Sequence, residues 1–370
     1  MNTKDVLNAQ LYPSAMQNSR RSDKPKYDTL PIATGQTEYF FFTTALGNQF
    51  LRNTILPLSG QEVYFLEAFS AYFNVVKDTT AEFDALNEAL QQSYLEISID
   101  NRVVGKYPGL DFINYTLRRT LADQVVLIYG QPEVGGNKNS DNFLGRKLPL
   151  PIILNSTSAF QFRWVCTAAT ATAFNGINMT LVLHGLQVDK LDSFYWDNLK
   201  ANQFQQVPVT YYNTLVIPNT NAFTYQFFAN PAAAPTLFSK TFPLSDITTF
   251  SCQNIEVFVN QPDTPIEPTT ILNSRLYNTF FITIDAVERY NANLMNMLSM
   301  LAGFGQILTT TPNLDTITYL HLRQSKTLKI PLEFPANSNV NVIINQPGAS
   351  LGITGEVTVA MRGIETRRVA

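Results

Sequence analysis

Asn178–Gln187 reads NMTLVLHGLQ and Glu356–Glu365 reads EVTVAMRGIE, so that Thr180 answers Thr358 and Gly185 answers Gly363, each 178 positions apart. A sequence written twice is constrained to two similar units, and other segments extend the match. TEYFFF (Thr37–Phe42) aligns with FTYQFF (Phe223–Phe228), and Tyr39 falls on Tyr225 at an offset of 186. LPLS (Leu56–Ser59) falls on FPLS (Phe242–Ser245), and FSAYFN (Phe69–Asn74) on IEVFVN (Ile255–Asn260), again at 186. EISID (Glu96–Asp100) meets FITID (Phe281–Asp285) at 185, and KLPLPIILNSTSAFQFRW (Lys147–Trp164) meets TLKIPLEFPANSNVNVII (Thr327–Ile344) at 180. Six segments in one order, with slowly drifting offsets, are the mark of an internal duplication.

The alternation phase matches too. Phe69, Ala71 and Phe73 share a face, as do Ile255, Val257 and Val259; Phe160, Phe162 and Trp164 correspond to Val340, Val342 and Ile344. Strand side chains alternate with period two, so a matched phase means a matched core-facing side. The first copy is predicted to hold strands near Thr37–Thr44, Glu62–Val75, Tyr94–Ile99, Arg102–Lys106, Gln124–Tyr129, Lys147–Leu154, Ala159–Thr167 and Asn178–Val188. The second is predicted to hold them near Ala222–Ala229, Thr249–Asn260, Asn278–Asp285, Ala286–Arg289, Thr316–Leu322, Thr327–Phe334, Asn339–Asn345 and Gly355–Glu365. Eight short strands per unit, punctuated by Pro, Gly and Asn, favour a jelly roll over a seven-stranded immunoglobulin sandwich.

Helical spacing interrupts both copies at one equivalent place. GLDFINYTLRRTLAD repeats Leu110, Ile113, Leu117 and Leu121, and NANLMNMLSMLAGFGQIL repeats Leu294, Leu298 and Leu301. TTAEFDALNEALQQS predicts a further helix in copy one only. The expected fold is all-β: two tandem eight-stranded jelly-roll sandwiches, each with a flanking helix. The expected divisions are an N-terminal arm at 1–35, a first jelly roll at 36–190, a connector at 191–220 and a second jelly roll at 221–370. The connector is too aromatic for a flexible linker and is expected to pack.

Charged residues make up 15% of the chain, against about a quarter in an average protein, which predicts a surface that meets other protein. A net charge of −3 argues against a general nucleic-acid binder. Cys166 and Cys252 lie in strand-like runs and read as buried free thiols. MNTKDVLNAQLYPSAMQNSRR lacks the apolar stretch of a signal peptide, so a chain without a secretion address is expected. The most apolar run, Leu294–Leu308, falls short of the ~20 residues that span a bilayer. Basic residues gather at both ends, Arg362 among them. Lys4, Arg20, Arg21, Lys24, Lys26, Arg367 and Arg368 are the candidates for contact with an anionic membrane surface or a neighbouring subunit. Copy one also inserts Gly130–Gly145 where copy two has only RQSK. Gly130, Gly135, Gly136, Asn137, Lys138 and Asn139 are therefore candidates for an exposed outer loop.

Signs of catalytic chemistry are weak. The two histidines, His184 and His321, sit in strands of different copies without the ligand spacing a tandem cupin metal site requires. Nucleophile-elbow, P-loop and dinucleotide fingerprints are missing. Carboxylates such as Asp246 and Glu256 keep a glycosidase-like pair open. Tyr195, Trp196, Tyr211 and Tyr212 could serve a carbohydrate-binding or spike protein, although packing within the connector explains them more simply. Asn114, Asn155 and Asn178 begin Asn-x-Ser/Thr triplets that read as chance. No cofactor, metal or catalytic residue is expected.

Taken together, these elements resemble the double jelly-roll major capsid proteins of tailless icosahedral viruses, especially phages that enclose an internal membrane. The resemblance spans Gln36 to Arg367 and rests on the duplicated strands and paired helices quoted above, because that family has no diagnostic motif. It implies a structural protein and not an enzyme: a homotrimer of pseudo-hexagonal outline that packs with neighbouring trimers and meets penton, vertex and minor capsid proteins. It further implies strands standing upright in the shell, the outer loop projecting and the basic termini near inner-membrane lipid or a neighbouring trimer. A place in the virion capsid, assembly in a host cytoplasm and no sequence-specific nucleic-acid contact complete what it implies. The projecting loops here are short, so elaborate towers are not expected.

Overall fold

The computed structural model describes residues 20–45, 47–48, 50–58, 62–73, 76–77, 89, 91–113, 115–120, 125–129, 145–189, 205–217, 223–229, 241–260, 278–294, 306–307, 316–319, 326–346 and 355–367. In chain order the first half contributes β1 (Arg20–Asp23), β2 (Lys26–Pro31), β3 (Glu38–Phe41), β4 (Glu62–Phe73), β5 (Val76–Lys77), β6 (Tyr94–Ile99) and β7 (Arg102–Pro108). A short helix α1 (Gly109–Phe112) precedes β8 (Tyr115–Thr120), β9 (Val125–Tyr129), β10 (Arg146–Leu154) and β11 (Phe160–Val165). Helix α2 (Ala168–Ala173), capped by the Thr167 hydroxyl, leads into β12 (Asn178–Asp189). The second half contributes β13 (Gln206–Ile217), β14 (Phe223–Phe227), β15 (Thr248–Asn260), β16 (Thr279–Ile284) and β17 (Val287–Asn293). It ends with β18 (Gln306–Ile307), β19 (Thr316–Tyr319), β20 (Lys326–Phe334), β21 (Val340–Gln346) and β22 (Gly355–Arg367).

Each copy folds as two facing antiparallel sheets. In copy one β10, β4 and β12 lie side by side, and β1 and β2 pair in succession along the far edge of β12; the opposing sheet runs β3-β11-β6-β7. In copy two the sheets run β13-β22-β15-β20 and β14-β21-β16-β17. Taking β1 with β2 as one interrupted strand, both copies have the order first–eighth–third–sixth against second–seventh–fourth–fifth, which is a jelly roll. A separate sheet, β18-β19-β8-β9-β5, joins strands of both halves.

Three sequence expectations need correction. The strand expected near Gln124–Tyr129 and its counterpart near Thr316–Leu322 lie in this joining sheet, outside the sandwiches. Their places are taken by β2, within the stretch read as an arm, and β13, within the stretch read as a connector. Each pairs along the edge of the last strand of its own copy and gives that strand its second neighbour. Finally, the helix expected over Gly109–Asp123 stops at Phe112. Ile113 already bridges Ala71, and Tyr115–Thr120 pairs with β9 on one side and β19 on the other, so ladder bonds replace helical ones. Most of the helix expected before Ser93, and of that following Leu294, lies outside the described residues.

The duplication reaches individual bonds. Phe42 N–H donates to Asp28 Oδ2 at 2.6 Å, and Phe228 N–H donates to Asn213 Oδ1 at 3.2 Å. Phe42 and Phe228 share a positive φ, 64° and 63°. The hydroxyls of Thr29 and Thr180 meet at 2.9 Å, and those of Thr214 and Thr358 at 2.7 Å. Asp100 and Asp285 accept from Ala159 N–H and Asn339 N–H at 2.8 and 2.9 Å. Both third strands carry a bulge, opposite Gly185 in one copy and Gly363 in the other. A Cβ on either glycine would fall inside the carbonyl oxygen of Phe65 or Ser251, which is why the opening motif carries glycine twice.

The interiors follow the predicted alternation. Phe69, Ala71, Phe73, Phe162 and Trp164 are buried in copy one, and Ile255, Val257, Val342 and Ile344 in copy two. Tyr39 lies 5.3 Å from Trp164, and Phe73 stacks on Phe174 at 4.4 Å.

Candidate functional site: the seam between the two sandwiches

The strongest concentration of buried charge lies where the copies meet. Pro108 ends β7 with φ at −63° and starts α1, which places Asp111 in the first turn of that helix, 2% exposed. Arg146 opens β10 from the same copy. Copy two presents Thr210 on β13, Glu256 on β15 and Arg362 on β22, with Thr210 and Glu256 each 1% exposed. Strand pairing sets Asn254 opposite Arg362 and Glu256 opposite Ala360, so the two charged side chains lie on neighbouring strands.

Arg362 donates to Asp111 Oδ1 from Nε at 2.9 Å and from Nη2 at 2.6 Å, and Nη2 also reaches Glu256 Oε2. The Thr210 hydroxyl donates to Asp111 Oδ2 at 2.5 Å, and Arg146 Nε stands 3.6 Å from the same oxygen. Two guanidinium groups thus face two carboxylates, and the cluster is neutral overall. Burial opposes ionisation of Asp111, but Arg362, Arg146 and the hydrogen bonds overcome it and hold its carboxyl below the usual range. Arg362 shows the mirror balance: burial pulls its pKa down, and Asp111 and Glu256 pull it up further.

Neutral contacts extend the tie. Tyr107 donates to the Pro208 carbonyl at 2.6 Å, Arg146 Nη2 to the Val209 carbonyl at 3.2 Å and Arg367 Nη1 to the Val103 carbonyl at 3.1 Å. Arg146 also lies over the Tyr107 ring, 5.8 Å from its centre. Tyr212 is fully buried, and burial together with nearby Tyr94 and Asp111 pushes its hydroxyl well above the usual range. A carboxylate held ionised and dry between guanidiniums fixes geometry; a general acid would need its pKa moved the other way.

The equivalents in copy one are different residues. Ser70 and His184 stand where copy two has Glu256 and Arg362, and their Oγ and Nε2 atoms lie 3.2 Å apart. The charged cluster therefore marks one surface of copy two and not its twin.

The structure uses several sequence candidates differently from the expectation. Arg362, expected in a basic tail, is buried, and Arg367 is half-buried against Glu365 and Val103. Lys26 is 6% exposed, with its ammonium 5.1 Å over the Tyr64 ring, so it is not available to a membrane. Lys24 is exposed, and the backbone of Arg20 and Arg21 pairs with Asp189 and Val188. Lys4, Arg368, His321, Asn114, Tyr195, Trp196 and the loop residues Gly130, Gly135, Gly136, Asn137, Lys138 and Asn139 lie outside the described residues. Tyr211 and Tyr212 are buried and offer no ring to a sugar. Glu256 is engaged with Arg362, whereas Asp246 is exposed, so the two do not form a working carboxylate pair. Asn155 is 3% exposed, and its Oδ1 accepts from Thr157 and Ser158 N–H. Cys166 and Cys252 are free and buried as expected, and burial pushes the Cys252 thiol up to about 12. Among the described residues there is no cluster of three or more His, Cys, Asp or Glu, and no helix long and apolar enough to cross a membrane.

No family model matches the chain, and no curated protein sequence is detectably similar to it. Among solved structures, the chain is similar to VP54 of PBCV-1, as fitted into a reconstruction of the virophage Sputnik. The TM-score is 0.37 and the identity 9%, over 94% of this chain and 95% of that one. A quasi-atomic model of the PBCV-1 virus capsid matches with the same TM-score, 0.37, and 9% identity over 94% of each chain.

Proposed function

We propose that this chain is a structural subunit of a viral capsid and that it assembles as a homotrimer. The carrying observation is the pairing of two jelly rolls of identical strand order by a buried, charge-neutral seam. Three such chains would supply six similar units, so one set of lateral contacts would serve six neighbours and the trimer would tile a facet of an icosahedral shell. Two matched sandwiches held in one orientation suit a tile that repeats its lateral contacts. Neighbouring trimers and vertex and minor capsid proteins are the partners this reading implies. The exposure of Lys24 supports a contact between the start of copy one and a lipid headgroup or a neighbouring trimer.

Native mass spectrometry of the purified chain tests the reading. A species three times 41.5 kDa, about 125 kDa, that persists on dilution is expected. A clean monomer would overturn the trimer.

A further inference from the structure

The seam inside the chain uses one surface from each copy, and the duplication supplies each surface twice. Copy two offers its first strand: Pro208 is buried, and Val209, Thr210 and Tyr212 are 5%, 1% and 0% exposed. Their equivalents 185 positions earlier are Asp23, Lys24 and Pro25, all exposed, and Tyr27, half-buried. Copy one offers its edge strand β7, where Tyr107, 0% exposed, donates to the Pro208 carbonyl, and Tyr94 of the adjoining β6, 8% exposed, lies near Tyr212. Their equivalents, again at 185, are Ala292 and Thr279, both half-buried. At every one of these positions the residue used in the seam is the more buried of the pair. A cavity of about 410 Å³ also opens beside Lys24 and Pro25, with Ile55, 41% exposed, on its wall.

We infer that the β16–β17 edge of one copy of this chain seats on the Asp23–Tyr27 face of a second copy, repeating between chains the contact made within each chain by β6–β7 and β13. This deepens the trimer reading and rests on it. The contact is heterologous, because the surface given differs from the surface received, and such contacts close into rings when the rotation permits. The Glu256–Arg362 pair has no counterpart here, because Ser70 and His184 replace it, so the charges offered by the receiving face are those of exposed Asp23 and Lys24.

The test is a mixing experiment read by native mass. Tyr27→Glu spoils only the receiving face and Thr279→Glu only the seated edge; neither side chain belongs to the core. Each variant alone should lose the trimer and remain a folded monomer, with the thermal midpoint as the check on folding. Mixed, the two retain one good surface pair and should form a dimer of about 83 kDa, twice 41.5 kDa, that cannot close. Lys24→Trp and Thr279→Trp form a second pair should either first variant misfold. Variants that remain trimeric would overturn the assigned face and leave the trimer standing. Monomeric variants whose mixture stays monomeric would overturn the heterologous contact. A monomeric wild type would overturn the trimer itself, so the two failures are distinguishable.

Discussion

Replacing Arg362 with methionine keeps most of the stem and removes the cation between Asp111 and Glu256. Arg362 donates two hydrogen bonds to Asp111 and one to Glu256. At ~1.5–3 kcal/mol for each bond to a charged group, the simple sum would exceed ~4 kcal/mol. Arg146 remains 3.6 Å from Asp111 and Thr210 still donates to it, so Asp111 is not abandoned; Glu256 is. The cost of removing one partner from a buried pair, ~3–5 kcal/mol, is therefore the better estimate. Urea unfolding followed by tryptophan fluorescence and far-UV circular dichroism would measure it. The variant should also separate into two transitions, because the contacts that couple the sandwiches are weakened. A double variant, Arg362→Met with Glu256→Met, should recover most of the loss, because Asp111 and Arg146 still neutralise each other. Arg362 Nη1 and Glu256 Oε1 have no hydrogen-bond partner in the native cluster, so the native arrangement already carries a desolvation cost that the apolar set removes. A single-variant cost below ~1 kcal/mol, or a double variant less stable than the single one, would refute the view that this cluster locks the two sandwiches together.

The Asp111 carboxyl has its pKa lowered by folding, so its contribution is fully present above the unfolded value of about 3.9 and is lost as pH falls through the folded value. The stability advantage of wild type over Asp111→Asn should therefore shrink as pH falls below about 4; an advantage that grew on acidification would contradict the sign. Gly185→Ala and Gly363→Ala should each cost ~1–3 kcal/mol, because the new methyl meets a backbone carbonyl that cannot move without breaking the ladder. Gly47→Ala, with nothing within 4 Å of the added Cβ, should stay within about 0.5 kcal/mol and serves as the control in the same denaturation series.

Some of what was missed was legible. YDTLPI (Tyr27–Ile32) and YNTLVI (Tyr212–Ile217) share Tyr, Thr, Leu and Ile at an offset of 185, and this seventh matched pair locates the first strand of each sandwich. Pro31 and the charged residues around Lys26 break the apolar run in one copy and hide the likeness when strands are sought by hydrophobicity alone. The span from Leu110 to Leu121 was ambiguous in a different way, since a few leucines at helical spacing are compatible with either backbone until pairing partners are known.

Sequence alone determined the duplication, the faces turned inward and the two glycines, because each depends on period-two alternation or on one residue's lack of a side chain. It could not determine the seam. Asp111 and Arg362 stand 251 positions apart, and nothing local to either one calls for a partner. A lone arginine or aspartate reads as surface until the fold delivers its counter-charge, because burying it unpaired costs more than any local preference could offset. Only the docking of one sandwich on the other supplies that partner, and so only tertiary structure decided which charges are buried and which of two equivalent faces was left open.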